Sequence, residues 1–125
     1  PRSFSLTVEQ AIEVILAAGG LPVLAHPGFY THIQDIKRVV RQLREAGLRG
    51  IEVWYPYRQV HGEEIPAAQA EAMVKRFQRL AAELQLLATG GSDYHGQRTP
   101  HIRLGECGMT WEDYQALREM ARQGI

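Results

Sequence analysis

Gly90-Gly91-Ser92-Asp93-Tyr94-His95-Gly96 follows the apolar run 84–89. In extended backbone, side chains two residues apart share a face, so Asp93 and His95 are predicted to point one way and Ser92 and Tyr94 the other. A carboxylate beside an imidazole at the end of a buried strand is a metal-gripping pair, and the flanking glycines let the chain bend and leave room for a ligand. The same alternation separates Ser92 from His95, which argues against a serine hydrolase arrangement. Upstream, Leu21-Pro22-Val23-Leu24-Ala25-His26-Pro27-Gly28 is a second short apolar strand with a histidine at its C-terminal end. Two strands that each end in ligand-type residues predict a shared site.

Composition bounds the class. The chain has 125 residues, 45% hydrophobic and 22% charged, enough for one core of ordinary domain size. Lys and Arg number 14, as do Asp and Glu, so the formal net charge is zero and gives no general attraction to nucleic acid or membranes. Phosphate binding must then be local. The lone Cys107 has no partner for an internal disulfide, and no apolar stretch approaches the roughly 20 residues needed to span a bilayer. A cytoplasmic protein without membrane partners is expected.

Around the two motifs, helices and strands alternate. Thr7 and Gln10 form a capping box ahead of Val8, Ala11, Ile12, Ile15 and Leu16 at helical spacing, with a stop at Gly19-Gly20. A strand over 22–25 leads to His26. Thr31 and Gln34 form a second capping box, predicting a helix that buries Ile33, Ile36, Val40 and Leu43 and ends at Gly47. A strand comes next over 50–54, with Pro56 closing it. Residues 55–64 read as a polar loop holding Arg58 and His61.

From about Pro66, the spacing of Met73, Phe77, Leu80 and Leu84 predicts a helix running into the strand 86–89. Residues 97–107 read as loop with a short strand near 102–104. A last helix starts at Thr110, capped with the help of Asp113, and is expected to bury Trp111, Tyr114, Leu117 and Met120.

This alternation implies right-handed βαβ units and a parallel sheet. Functional residues in such sheets gather at the C-terminal ends of the strands, where His26, the 55–61 loop, Asp93 and His95 all fall. Three strands do not close a barrel, so the sheet is expected to have open edges. Trp54 and Tyr55 read as strand-end packing, Glu52 as half of a structural ion pair, His32 as a surface residue and His101 as a loop residue.

Ala25-His26-Pro27-Gly28, Gly50-Ile51-Glu52-Val53-Trp54-Tyr55-Pro56 and Gly90-Gly91-Ser92-Asp93-Tyr94-His95-Gly96, in that order with helices between, resemble the C-terminal half of a PHP (polymerase and histidinol phosphatase) domain. The likeness is to its small metal-dependent phosphoesterases acting on nucleotides or RNA ends. It implies an α/β fold: a partial (β/α)7 PHP-type barrel with three or four mostly parallel strands and flanking helices. Residues 1–125 would be the C-terminal part of a single PHP-like domain. The His-x-His motif of the family's N-terminal part does not occur here, since the histidines stand at 26, 32, 61, 95 and 101.

Carried over, the resemblance makes His26, Asp93 and His95 metal ligands, with Asp93 and His95 also catalytic. The complete domain would hold two or three divalent ions, Mn, Fe or Zn. Such ions activate water for attack on a phosphate ester of a nucleotide or an RNA or DNA end. Arg58 and His61 are candidate contacts to a substrate phosphate, the arginine through paired hydrogen bonds. The fragment alone is expected to be inactive and to associate with itself or with the N-terminal half it lacks. Two other readings fit the residues: an amidohydrolase-like C–N hydrolase using the same kind of metal site, and a non-catalytic PHP module of a larger enzyme.

Overall fold

The computed structural model describes residues 5–60 and 63–123. Three units repeat one design, in which a helix ends in a left-handed residue and the chain turns directly into a parallel strand. Helix α1, Val8–Ala17, opens with the predicted capping box: Gln10 N–H donates to Thr7 Oγ1 and Thr7 N–H to Gln10 Oε1. It ends as Gly19 N–H donates to the Leu16 carbonyl and Gly20 N–H to that of Ile15, with Gly19 at φ 77°. This paired C-terminal closure satisfies carbonyls the helix would otherwise leave open. Strand β1, Val23–Leu24, comes next.

Helix α2, Ile36–Glu45, ends the same way at Gly47 and feeds strand β2, Gly50–Trp54. Its start corrects the sequence expectation. The N-cap is Asp35, whose carboxylate accepts from Arg38 N–H at 2.9 Å, while residues 31–35 turn. Aspartate is the better cap, and it outcompetes the Thr31-x-x-Gln34 pattern four residues earlier.

The polar loop expected over 55–64 is replaced by ordered structure. Tyr55 and Tyr57 are buried, and β3, Gln59–Val60, pairs antiparallel with β4, Glu63–Glu64. Helix α3, Ala67–Glu83, closes on Gln85 at φ 52° and leads to β5, Leu87–Gly90.

The parallel sheet has the order β1-β2-β5, with Val23 opposite Gly50 and Ile51 opposite Ala88. The register shifts between Glu52 and Trp54, so that Trp54 pairs with Gly90. Ile51, Val53 and Val40 are fully buried and form one core with Leu43, Phe77, Leu80, Ala81 and Leu84. The expected α/β sheet of three parallel strands is borne out.

Residues 102–104 form no strand, and Leu104 is 80% exposed. Helix α4, Trp111–Gln123, begins as expected, Asp113 N–H donating to Thr110 Oγ1. It buries none of the four expected residues: Trp111 is 61% exposed, Tyr114 is exposed, and Leu117 and Met120 are only half-buried. Asp113 explains the rotation: its carboxylate accepts from Trp54 Nε1 at 3.2 Å, turning the face of Asp113, Leu117 and Met120 inward and Trp111 outward.

Candidate functional site

Because the three strands run parallel, their C-terminal ends open onto one rim of the sheet. His26 lies two residues beyond β1, Tyr55 directly after β2, and Asp93 and His95 beyond β5.

His26 begins a single 3-10 turn, Pro27–Phe29, in unusual backbone: φ 28°, ψ 59°. Asp93 has φ 54°. Left-handed backbone is unfavourable for residues with a Cβ and persists where the surroundings impose it, often at functional sites. Of the three non-glycine residues with positive φ among the described residues, two are these candidate ligands and the third, Gln85, closes a helix. The expectation that Asp93 and His95 share a face of extended strand fails for this reason. The strand stops at Gly90, Asp93 takes left-handed backbone, and His95 leads into the turn Gly96–Arg98. The two side chains meet nonetheless: His95 Nδ1 lies 2.7 Å from the Asp93 carbonyl oxygen and 3.5 Å from Asp93 Oδ1.

The His26 turn is held from β2 and its extension. His26 N–H donates to Glu52 Oε2 at 2.7 Å, and Gly28 N–H donates to the Tyr57 hydroxyl at 2.9 Å. Glu52 is thus a backbone anchor rather than half of an ion pair. Burial pushes its carboxyl above the usual range and the nearby Asp93 adds to this, while the His26 N–H and imidazole pull the other way.

Tyr55, expected as strand-end packing, does more. Its hydroxyl donates to Asp93 Oδ2 at 3.0 Å, and its ring stands edge-on to His26 with centroids 5.6 Å apart. Burial first, then the hydrogen bond to Asp93, pushes the phenol well above its ordinary pKa, so it stays protonated and donates. The site therefore links His26, Tyr55, Asp93 and His95 across three strand ends.

Two details fit metal ligation. His26 Nδ1 is buried without a hydrogen-bond partner, a costly state unless something binds there. In neutral His95, Nδ1 must carry the proton that the Asp93 carbonyl accepts, which leaves Nε2 with its lone pair. Among the described residues, no three His, Cys, Asp or Glu side chains stand close enough to enclose a metal ion. His26, Asp93 and His95 therefore form no complete ligand cluster among the described residues, and a metal ion held at this rim would need further donors.

Arg58 is engaged elsewhere: one guanidinium nitrogen donates to Glu106 Oε2 at 2.9 Å, another to the His101 carbonyl at 3.1 Å. Arg58 and His101 line a groove of about 570 Å³ that begins at Tyr55 and runs along the start of α3. His61 lies outside the described residues. His32 is exposed. No helix among the described residues is long and apolar enough to cross a membrane.

No protein-family model matches the chain. It is 39% identical over 94 residues to the phosphoribosyl 1,2-cyclic phosphate 1,2-diphosphodiesterase of Eggerthella lenta. It is 37% identical over 103 residues to the 5′-3′ exoribonuclease Rnm of Escherichia coli. These matches take in 74% and 79% of this chain, and the chain spans about 30% of the length of each of these curated relatives. Among solved structures, a candidate metal-dependent phosphoesterase from Bifidobacterium adolescentis superposes with a TM-score of 0.70 at 29% identity, over 100% of this chain and 39% of that one. An amidohydrolase from Chromobacterium violaceum, solved with sulfate and no metal, gives 0.67 at 25%, over 95% of this chain and 40% of that one. The resemblance to a segment of a PHP-type phosphoesterase, and the partial-barrel fold, are borne out by these relatives.

Proposed function

We propose that residues 1–125 are the C-terminal part of a single PHP-like domain of a metal-dependent phosphoesterase, acting on phosphate esters of nucleotides or of RNA or DNA ends. The observation that carries the reading is the placement of His26, Asp93 and His95 beyond neighbouring strand ends at one rim of a parallel sheet, with Tyr55 touching both His26 and Asp93. The relatives named as a cyclic phosphate phosphodiesterase and an exoribonuclease support the reaction class and the substrate class.

Divalent ions bound at such a rim acidify water and neutralise phosphoryl charge. Among this chain's groups, His26 offers its unpartnered Nδ1 and His95 its Nε2. Asp93 supplies the negative charge and orients the attacking water through its carboxylate. Arg58, in the adjoining groove, meets a substrate phosphate if it leaves Glu106. The remaining donors would come from the N-terminal part of the domain, and this segment alone would be inactive.

The test uses the intact protein that carries this chain. Its manganese-loaded form is expected to release phosphate or mononucleotide from a 5′-phosphorylated RNA oligonucleotide or a cyclic nucleotide phosphate, and Asp93→Ala to lose that turnover. Unchanged turnover in the variant would remove Asp93 from the mechanism. A C–N hydrolase is the second reading, favoured by the amidohydrolase neighbour. Ammonia or carboxylate release in place of phosphate would select it.

A further inference from the structure

We infer that Tyr55 is a positioning residue of the site, a side chain that holds two candidate ligands from different strand ends in one geometry. The inference rests on the phosphoesterase reading and deepens it. Tyr55 leaves the central strand of the sheet, whereas His26 lies beyond one neighbouring strand and Asp93 beyond the other. Its hydroxyl takes Asp93 Oδ2, leaving Oδ1 as the oxygen on the His95 side. Its ring packs edge-on against His26 at 5.6 Å and against Phe29 at 5.4 Å.

The ring is itself immobilised. It is 8% exposed and lies 4.8 Å from the Tyr57 ring, whose hydroxyl accepts from Gly28 in the His26 turn. Tyr55 thus joins the β1 turn to the β5 turn through a single rigid group. Asp93 sits in left-handed backbone at the far side of this link, and the Tyr55 hydroxyl holds one of its carboxylate oxygens. A tyrosine serving only as filler would need no hydroxyl. Here the hydroxyl is spent on a ligand carboxylate, the way outer groups orient metal-binding side chains.

Calorimetric titration of the intact, demetallated protein with Mn²⁺ alone and Zn²⁺ alone tests this without relying on turnover. Tyr55→Phe keeps the ring and deletes the hydroxyl, and it is expected to weaken metal binding about 10- to 100-fold with little change in melting temperature. In an Asp93→Asn background, the same substitution is expected to have a much smaller effect, because the group it orients has lost its charge.

Metal binding by the wild type with undiminished affinity in Tyr55→Phe overturns the inference and leaves the phosphoesterase reading standing. Equal effects of Tyr55→Phe in both backgrounds, or a variant that no longer folds, assign the hydroxyl a general structural part and also overturn it. No metal binding by the wild type overturns both readings.

Discussion

Asp93 and His26 hold backbone conformations that a side chain with a Cβ adopts reluctantly, at a cost on the order of 1 kcal/mol each. Asparagine tolerates the left-handed region as well as aspartate does and still accepts a hydrogen bond from Tyr55. Asp93→Asn is therefore expected to leave stability within about 0.5 kcal/mol in urea unfolding while metal affinity falls at least ~10-fold. A large loss of stability would mean the carboxylate charge itself holds the turn. Cys107 makes a different prediction. Burial pushes its thiol up, with Glu52 and Glu106 adding to the effect, so less thiolate is present in the folded chain than in the unfolded one around pH 8. Alkylation by iodoacetamide at pH 8 is expected to be at least several-fold slower in buffer than in urea, and equal rates would contradict the half-buried placement. The three candidate ligands are legible in the sequence because each lies in a short linear motif. The roles of Tyr55 and Glu52 are not, although both lie in the stretch 50–56, since their partners lie 38 and 26 positions away and only the sheet pairing brings them together.

Helix ends decide most of the local structure. Thr7→Ala removes the α1 capping box and is expected to cost about 1 kcal/mol, read as a lowered denaturation midpoint with unchanged slope. The glycine pair after β5 separates two roles. A Cβ on Gly90 would lie 2.3 Å from Trp54 Cβ and 2.6 Å from its carbonyl oxygen, whereas one on Gly91 meets nothing within 4 Å. Gly90→Ala must push β5 off β2 and is expected to cost about 1–3 kcal/mol or more, with Gly91→Ala near neutral. Comparable melting temperatures for the two variants would refute the close strand approach. Periodicity and caps make α1, β2 and α3 plain in the sequence. The sequence misleads at α2, where two cap patterns compete, and it hides the closure of α3, because Gln85 stands where glycine usually signals the turn.

At the scale of the molecule, β1 and β5 each pair on one side only among the described residues, and Val8, Val14, Ile15, Leu104 and Trp111 are exposed. Open strand edges and apolar surface favour association. The isolated chain is expected to elute from size exclusion larger than its 14.1 kDa mass, increasingly so with concentration. A monomer melting cooperatively at all concentrations would count against this. The alternation of helices and strands announces the parallel sheet. The outward turn of Trp111 is not readable from helical spacing, because it depends on Asp113 reaching a tryptophan 59 positions away.

The parallel arrangement also sorts labour between the two rims. Gly19, Gly47 and Gln85 all precede their strands and lie at the rim away from His26 and Asp93. At Gly19 an added Cβ would touch nothing within 4 Å and would meet only the left-handed backbone's cost, on the order of 1 kcal/mol. An alanine placed there would thus probe the closure of the helix while staying clear of the chemistry.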